Sequence, residues 1–91
     1  MLNGKHYAKQ REAFLKAEFP KLHKKMTADG TLDDHLKMIA EESEDLASTL
    51  YSQMMEAAPE EMDKRMQHFE GIPLAIREIV QHDLILVPPS R

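Results

Sequence analysis

Residues 31–58 read TLDDHLKMIAEESEDLASTLYSQMMEAA, a run without glycine or proline. Apolar side chains recur along it at steps of three and four residues, which places them on one face of an α-helix. This apolar stripe consists of Leu32, Leu36, Ile39, Leu46, Leu50 and Met54, with the small Ser43 filling the gap in the series. We therefore predict one helix over 31–58, about 40 Å long at 1.5 Å per residue. Such a helix exceeds the diameter of a small globule, so it should protrude, kink or pair with another subunit.

Both ends of this helix carry start and stop signals. Thr31 follows Gly30 and is a good N-cap, and Asp34 stands where a capping-box acid reaches back to the cap. Gly30 can adopt the left-handed conformation that ends a preceding helix. Pro59 disfavours helical backbone in the residue before it and is a plausible stop.

Shorter helical patterns flank the long helix on both sides. The predicted helices are His6–Glu18, Pro20–Thr27, a helix opened by Pro59-Glu60-Glu61, and, after a break at Gly71-Ile72-Pro73, a last helix from Pro73 to about Asp83. Leu84–Val87 could extend that helix or run extended. The sequence predicts an all-α protein, a small helical bundle of four to five helices built on one long central helix. We expect residues 1–91 to form a single domain, with 1–5 and 88–91 flexible.

The apolar positions of the flanking helices predict which side chains are buried. In the helix before Gly30 these are Leu22 and Met26. In the two helices after Pro59 they are Met62, Met66, Phe69, Leu74, Ile76, Ile79, Val80 and Leu84. In the first helix we expect Lys9, Arg11, Glu12 and Lys16 to point outward, although Arg11 and Leu15, one turn apart, also bracket a possible contact edge.

Composition narrows the class of protein. The 91 residues contain no cysteine, which excludes disulfides and thiolate metal sites and is compatible with a reducing cytoplasm. No apolar run approaches the roughly 20 residues that span a bilayer, and the N-terminal residues MLNGKHYAKQRE lack the apolar core of a signal peptide. We therefore expect a cytoplasmic protein without a membrane partner.

Charge is distributed unevenly along the chain. Residues 1–30 carry seven Lys or Arg and three Asp or Glu, whereas residues 31–63 carry one and ten, within a net charge of −4. The simplest explanation of this uneven charge distribution is a contact within the protein, in which the basic N-terminal segment lies against the acidic helix. A basic arm that binds nucleic acid is the alternative, but the overall acidity opposes binding to a polyanion.

No group of residues matches a known catalytic or metal-binding motif. The five histidines are scattered singly, whereas zinc sites need convergent ligands and usually a close histidine pair. The three glycines are isolated, so a phosphate-binding loop is absent. Carboxylate metal sites in helical bundles use Glu-x-x-His pairs, and the nearest approach is Glu78 with His82. We therefore predict a protein that is not an enzyme, with no catalytic residue, cofactor or metal.

The acidic residues of the long helix form the candidate partner-binding face: Glu41, Glu42, Glu44 and Asp45. A helix-turn-helix around Gly30 would make this helix the one that recognises DNA, yet Asp33 and Asp34 at its start would repel phosphate. Direct DNA recognition by this helix is therefore rejected, and we do not expect the protein to bind nucleic acid directly. An acidic helix could instead imitate nucleic-acid phosphates and bind a protein that normally binds DNA or RNA. The plainer reading of the same residues is a solvated helix face.

Several stretches resemble the TnpV-like proteins encoded on bacterial transposons. The most specific is the turn Gly30-Thr31-Leu32-Asp33-Asp34-His35-Leu36, which is similar to the Gly-x-Leu-x-x-His-Leu turn of that family. The others are Phe14-Leu15 with Pro20-Lys21-Leu22-His23, the pair Gln53-Met54, and the run from Glu78 to Leu84. The resemblance covers roughly residues 11–86. It implies a mobile-element accessory protein and brings no catalytic residues with it.

These observations lead to two functional hypotheses. The first is a non-enzymatic, transposon-associated accessory protein that binds another protein, with a homodimer as one possibility. The over-long helix, the surplus of Met and Leu and the lack of a reactive group of residues favour it. The second is an acidic inhibitor or regulator of a nucleic-acid-processing enzyme. A hydrolase or metal enzyme is disfavoured.

Overall fold

The computed structural model describes residues 4–89, which form four α-helices and a short π-helical turn. The helices are α1 Gly4–Glu18, α2 Pro20–Asp29, α3 Leu32–Glu56 and α4 Met62–Val80, and the π-helical turn Gln81–Ile85 follows α4 directly. No β-strand occurs in residues 4–89. The predicted all-α bundle on one long central helix is confirmed.

Helix α3 is the central helix, and α1, α2 and α4 all pack against it. Helix α1 runs antiparallel to the first half of α3, with Gly4 beside Ala40 and Arg11 beside His35. Helix α4 packs mainly on α3 and on the π-helical turn that follows it, and the side chains of its second half share the core with Tyr7 of α1. The helices are therefore offset along α3, and the molecule measures 54 × 20 × 20 Å.

The hydrophobic core lies where α1, α3 and the end of α4 meet. Its members are Tyr7, Ile39, Ala47, Ile72, Ile76, Val80 and Ile85, all at most 4 % exposed. Ser43 is also buried between these helices, as its place in the apolar stripe predicted. Burial of such side chains supplies most of the driving force for folding, at roughly 25 cal/mol per Å² of apolar surface.

The turn between α2 and α3 differs in one respect from its prediction. Gly30 is left-handed, with φ of 79°, and its N–H donates to the carbonyl of Met26, as predicted. Thr31, however, makes no side-chain capping bond to α3. Its hydroxyl and its N–H both donate to Oδ1 of Asp29, at 2.6 and 3.1 Å. Thr31 is thus the N-cap residue of α3 as predicted, but the capping hydrogen bond is not formed, because the nearer carboxylate of Asp29 accepts from the Thr31 hydroxyl.

The predicted break at Gly71–Pro73 is wrong, since α4 continues through Pro73. Proline removes one backbone hydrogen bond from a helix interior and costs about 3 kcal/mol there. Pro73 lies on the exposed side, where water can satisfy the carbonyl that loses its partner. Packing of Ile72 and Ile76 into the core on the other side holds the helix together across this position.

Burial along α4 also differs from the prediction. Ile76 and Val80 are fully buried as expected, but Met62, Met66 and Leu74 are exposed, at 68 %, 55 % and 50 %. The helix begins at Met62 and not at the proline that precedes it. Because the first half of α4 packs on α3 and on no other helix of the described residues, only one narrow side of it is covered.

The π-helical turn and the residues after it lie against α1, where they bond to Gln10 and Arg11. The π-helical turn buries Ile85 in the core, and residues 86–89 follow it without helical structure. Gly4 and Lys5, predicted as flexible, belong to the first turn of α1. Residues 1–3, 90 and 91 lie outside the described residues, so the flexibility proposed for both ends remains a prediction there.

Gly4 marks the closest approach between α1 and α3. A Cβ atom at this position would lie 2.6 Å from the carbonyl oxygen of Ala40 and 2.7 Å from Oε1 of Glu44. Backbone atoms of a packed helix cannot move away cheaply. Glycine at this position therefore allows α1 to lie flat on α3.

We expect Gly4→Ala to destabilise the protein by about 1–3 kcal/mol, the usual cost of forcing extra volume into a packed contact. Urea unfolding followed by far-ultraviolet circular dichroism measures this change. Loss of less than about 0.3 kcal/mol would show that α1 does not dock on α3 in this way.

Gly71→Ala is the matched control. A Cβ atom at Gly71 meets nothing within 4 Å, and the residue lies inside α4. Alanine is favoured over glycine in a helix interior by roughly 1 kcal/mol, so this variant should be more stable than the wild type. A break in the helix at Gly71 would instead remove that gain.

Candidate functional site

The four carboxylates of the predicted partner-binding face are all exposed but do not point in one direction. Successive residues of an α-helix are rotated by about 100°, so Glu42 and Glu44 lie on opposite flanks of α3. Glu41 and Asp45, one turn apart, share the outward side between them. The structure therefore brings Glu41 and Asp45 together on the outward side of α3. It places Glu42 and Glu44 on opposite flanks of the helix.

Glu44 takes part in an internal contact. Its Oε1 accepts a hydrogen bond from the N–H of Gly4 at 3.1 Å. A carboxylate at the first N–H groups of a helix is favourable, because those groups have no partner inside the helix and carry partial positive charge. Glu44 thus fixes the start of α1 on α3.

The basic residues of α1 and α2 lie beside the acidic helix without pairing with it. Among residues 4–89, the lysines and arginines of these two helices form no ion pair with α3. Lys5, Lys9 and Lys16 are exposed. The contact between α1 and α3 is made instead by a buried side of α1 that contains Tyr7, Arg11 and Leu15.

Arg11 is buried, with 3 % exposure, so the prediction that it faces water is wrong. Its Nη1 donates to the carbonyl of Ile85 at 2.9 Å and to that of Val87 at 2.5 Å. These carbonyls end the last helical segment, where a cation is favoured and free acceptors are available. Burial lowers the pKa of Arg11. No carboxylate in residues 4–89 forms an ion pair with it.

One feature of the sequence indicates that Arg11 could be buried. It lies four residues after Tyr7 and four before Leu15, which puts it in the middle of an apolar helix face. An arginine in such a position can donate up to five hydrogen bonds, and it requires acceptors from elsewhere in the fold. The identity of those acceptors is visible only in the folded chain.

His35 lies next to Arg11. Nε of Arg11 donates to Nε2 of His35 at 3.3 Å, so this ring nitrogen is the acceptor and the imidazole is neutral in that arrangement. Burial and, to a smaller extent, the Arg11 guanidinium lower the pKa of His35, while the carboxylate of Glu42 opposes the shift.

A cleft of about 480 Å³ opens beside these two residues, and we call it the Arg11 cleft. It lies between α2, the first turns of α3 and the residues after the π-helical turn. Its apolar wall includes Leu22, Met26, Met38, Leu84 and Val87. Lys25, Asp29, Glu42 and Asp83 lie around it as charged residues.

A second surface lies at the other end of the molecule, where α3 and α4 form a hairpin. We call residues 50–56 and 62–71 the hairpin end. None of these residues is buried, and they include the exposed Tyr51, Met62 and Met66. A hollow of about 360 Å³ is lined there by Tyr51, Met55, Phe69, Ile72 and Pro73.

Polar contacts hold the two helices of the hairpin end together. Nε2 of His68 donates to the carbonyl of Met54 at 2.5 Å. The guanidinium of Arg65 lies 5.0 Å from the centre of the Phe69 ring and donates to the carbonyl of Pro59 at 3.5 Å. The hairpin end is thus ordered by specific bonds although it lacks a buried core.

The remaining histidines lie apart from one another. His23 pairs with Glu12 at 3.1 Å and so ties α2 to α1, and His82 pairs with Asp83 at 2.8 Å. In the part of the chain from 4 to 89 there is no group of three His, Cys, Asp or Glu side chains that could hold a metal ion. Within the same residues, no helix is both long enough and apolar enough to cross a membrane.

The lowered pKa of His35 predicts how stability depends on pH. The unfolded chain binds a proton on this histidine near pH 6.5, whereas the folded chain binds it only at lower pH. Acidification through that range therefore favours the unfolded state. We expect the free energy of unfolding to fall between pH 7.5 and pH 5.5 more in the wild type than in His35→Gln, which cannot titrate but still accepts from Arg11. Equal losses in urea unfolding would contradict this.

Comparison with known proteins identifies the family. The family model described as Transposon-encoded protein TnpV matches residues 3–85, which is most of the chain. No curated protein and no solved structure matches it. The matched range contains Arg11, His35 and the whole hairpin end, and the resemblance to this family is confirmed. The chain belongs to the TnpV family of transposon-encoded proteins and is a mobile-element-associated protein.

Proposed function

We propose that this TnpV protein is not an enzyme and acts by binding another protein through the hairpin end. The observation that carries the proposal is the absence of any buried residue among 50–56 and 62–71, although this segment contains seven large apolar side chains that are half-buried or exposed: Leu50, Tyr51, Met54, Met55, Met62, Met66 and Phe69. A concentrated apolar surface on a soluble fold is typical of a protein interaction site.

The shape and chemistry of the hairpin end fit a helical partner. Two antiparallel helices leave a groove between them, and an amphipathic helix buries its apolar side in such a groove. The hollow beside Tyr51 and Phe69 offers room for an anchoring side chain. Methionines are flexible and polarisable, so Met62 and Met66 can adapt to a partner's surface. A second copy of the hairpin end would supply the same kind of face and complete a four-helix arrangement.

The double substitution Met62→Glu and Met66→Glu tests this surface. Both side chains are more than half exposed, so we expect the free energy of unfolding to change by less than about 0.5 kcal/mol. Binding should weaken at least about tenfold, because two charges would be buried without partners. Light scattering measures self-association, and affinity capture from cells that carry the transposon followed by titration of the purified partner measures hetero-association.

Leu74→Glu is the matched control, because Leu74 is equally exposed on the same helix but lies outside the hairpin end. Its binding should equal that of the wild type. A monomer that captures no partner would overturn the proposal, as would equal weakening in both variants.

A second function is supported by the outward side of α3. Glu41 and Asp45 are exposed one turn apart, and neither forms an ion pair among residues 4–89. Carboxylates held at helical spacing can occupy the phosphate sites of a nucleic-acid-binding protein. The candidate is therefore an inhibitor or regulator of a nucleic-acid-processing enzyme.

Reversal of these charges separates the two functions. If the acidic side acts as a nucleic-acid mimic, Glu41→Lys with Asp45→Lys should abolish inhibition of a nucleic-acid enzyme encoded on the same transposon. Glu78→Lys, which changes an exposed acid on α4, should leave inhibition intact. DNA cleavage or strand-transfer assays with the purified enzyme measure the effect. No inhibition by the wild type would rule out this function and leave binding at the hairpin end unaffected.

A further inference from the structure

The Arg11 cleft contains a buried cation whose hydrogen-bonding capacity is only partly used. Nε and Nη1 of Arg11 have partners, whereas Nη2 has none among residues 4–89. In the same residues, the one fully buried side-chain atom without a partner is Oγ of Ser43. Nη2 is therefore not completely enclosed by protein atoms, and Arg11 is one of the residues that line the cleft.

The surroundings of Nη2 are suited to an amphipathic ligand. A wall of apolar side chains, including Leu22, Met26 and Val87, lies beside the guanidinium. Pockets for small ligands commonly measure about 300–1,000 Å³ and combine an apolar lining with a few polar anchors. A buried guanidinium without a carboxylate partner gains most from an anion that accepts its N–H groups.

We propose that the Arg11 cleft binds a carboxylate joined to an apolar group, with the carboxylate accepting hydrogen bonds from Nη2 of Arg11. Lys25 at the rim adds a second positive charge. The apolar part of the ligand packs against the wall formed by α2 and by the residues after the π-helical turn. The site is separate from the hairpin end, and the inference does not depend on the function proposed for it.

Three acids at the cleft could oppose an anion, and two of them have partners of their own. Asp29 accepts both hydrogen bonds from Thr31, and these lower its pKa. Asp83 is paired with His82. Glu42 forms no hydrogen bond or ion pair with residues 4–89 and stands near His35. It is the acid that should repel a bound carboxylate.

Nuclear magnetic resonance with a matched pair of probes tests the site. The acid 4-phenylbutanoate and the neutral 4-phenylbutanamide differ in charge but hardly in shape. Titrated into ¹⁵N-labelled protein at pH 7.5 and low salt, the acid should shift the Nε–H signal of Arg11 and the amide signal of Val87. We expect it to bind about tenfold more tightly than the amide, the usual gain from a charge-assisted hydrogen bond. No shift at millimolar concentration, or equal affinities, would overturn the proposal.

Variants locate the binding without removing Arg11, whose substitution would also break its bonds to the end of the chain. Glu42→Gln removes the opposing charge and should strengthen binding of the acid about two- to threefold, without changing binding of the amide. Met38→Trp enlarges a half-exposed side chain in the cleft and should abolish binding of both probes. Met66→Trp, a comparable change at the hairpin end, should have no effect. Weaker binding in Glu42→Gln, or unchanged binding in Met38→Trp, would contradict the assignment.

The natural ligand could be the C-terminus of a protein or a small organic acid, and short peptides distinguish these two sources of the carboxylate. Acetyl-Ala-Leu-Phe with a free C-terminus presents an apolar side chain next to a carboxylate, and its amidated form lacks the charge. If the free peptide binds more tightly than 4-phenylbutanoate, the source is the C-terminus of a protein, and if it binds less tightly, the source is a small organic acid. Unchanged binding by the Met62→Glu, Met66→Glu variant would show that this site works independently of the hairpin end.

Discussion

The guanidinium of Arg11 joins three parts of the chain that nothing else brings together so directly. It belongs to α1, receives its imidazole partner from α3 and holds two carbonyls that are 74 and 76 residues away in sequence. Without these bonds, the carbonyls of Ile85 and Val87, which follow α4 in the chain, would lose this donor next to an apolar core. The buried charge is tolerated because a helix end supplies the negative potential that a carboxylate would otherwise provide. The position of the Arg11 cleft follows from this arrangement.

The helical architecture was predictable because it depends on local spacing. The apolar stripe of α3 correctly placed Leu32, Ile39 and Ser43 in the buried face, and Gly30 correctly ended α2. These features arise from the geometry of a single helix or turn, which the order of residues determines. The same spacing failed at Met62 and Met66, because an apolar stripe shows which side of a helix can be buried but not whether another helix is there to cover it.

The candidate sites depended on contacts between distant residues, and for that reason the sequence predicted them poorly. Arg11 looks like a solvated charge until the end of the chain is placed beside it. The acidic cluster looks like one surface in the sequence, yet Glu44 is engaged with Gly4 and Glu42 stands at a cleft. Pro73 looks like a helix break until the burial of Ile72 and Ile76 is known. In each case tertiary packing outweighed the local preference.

The offset of the helices along α3 gives the molecule a gradient of local stability. Residues near Tyr7 and Ile76 can exchange their amide hydrogens only when the packed core opens, whereas the hairpin end is held by two helices and a few polar bonds. Segments with little buried surface open at low free energy. A partner bound at the hairpin end, as proposed above, would suppress this local opening, and that entropic cost would lower the affinity below what the contact area alone would give.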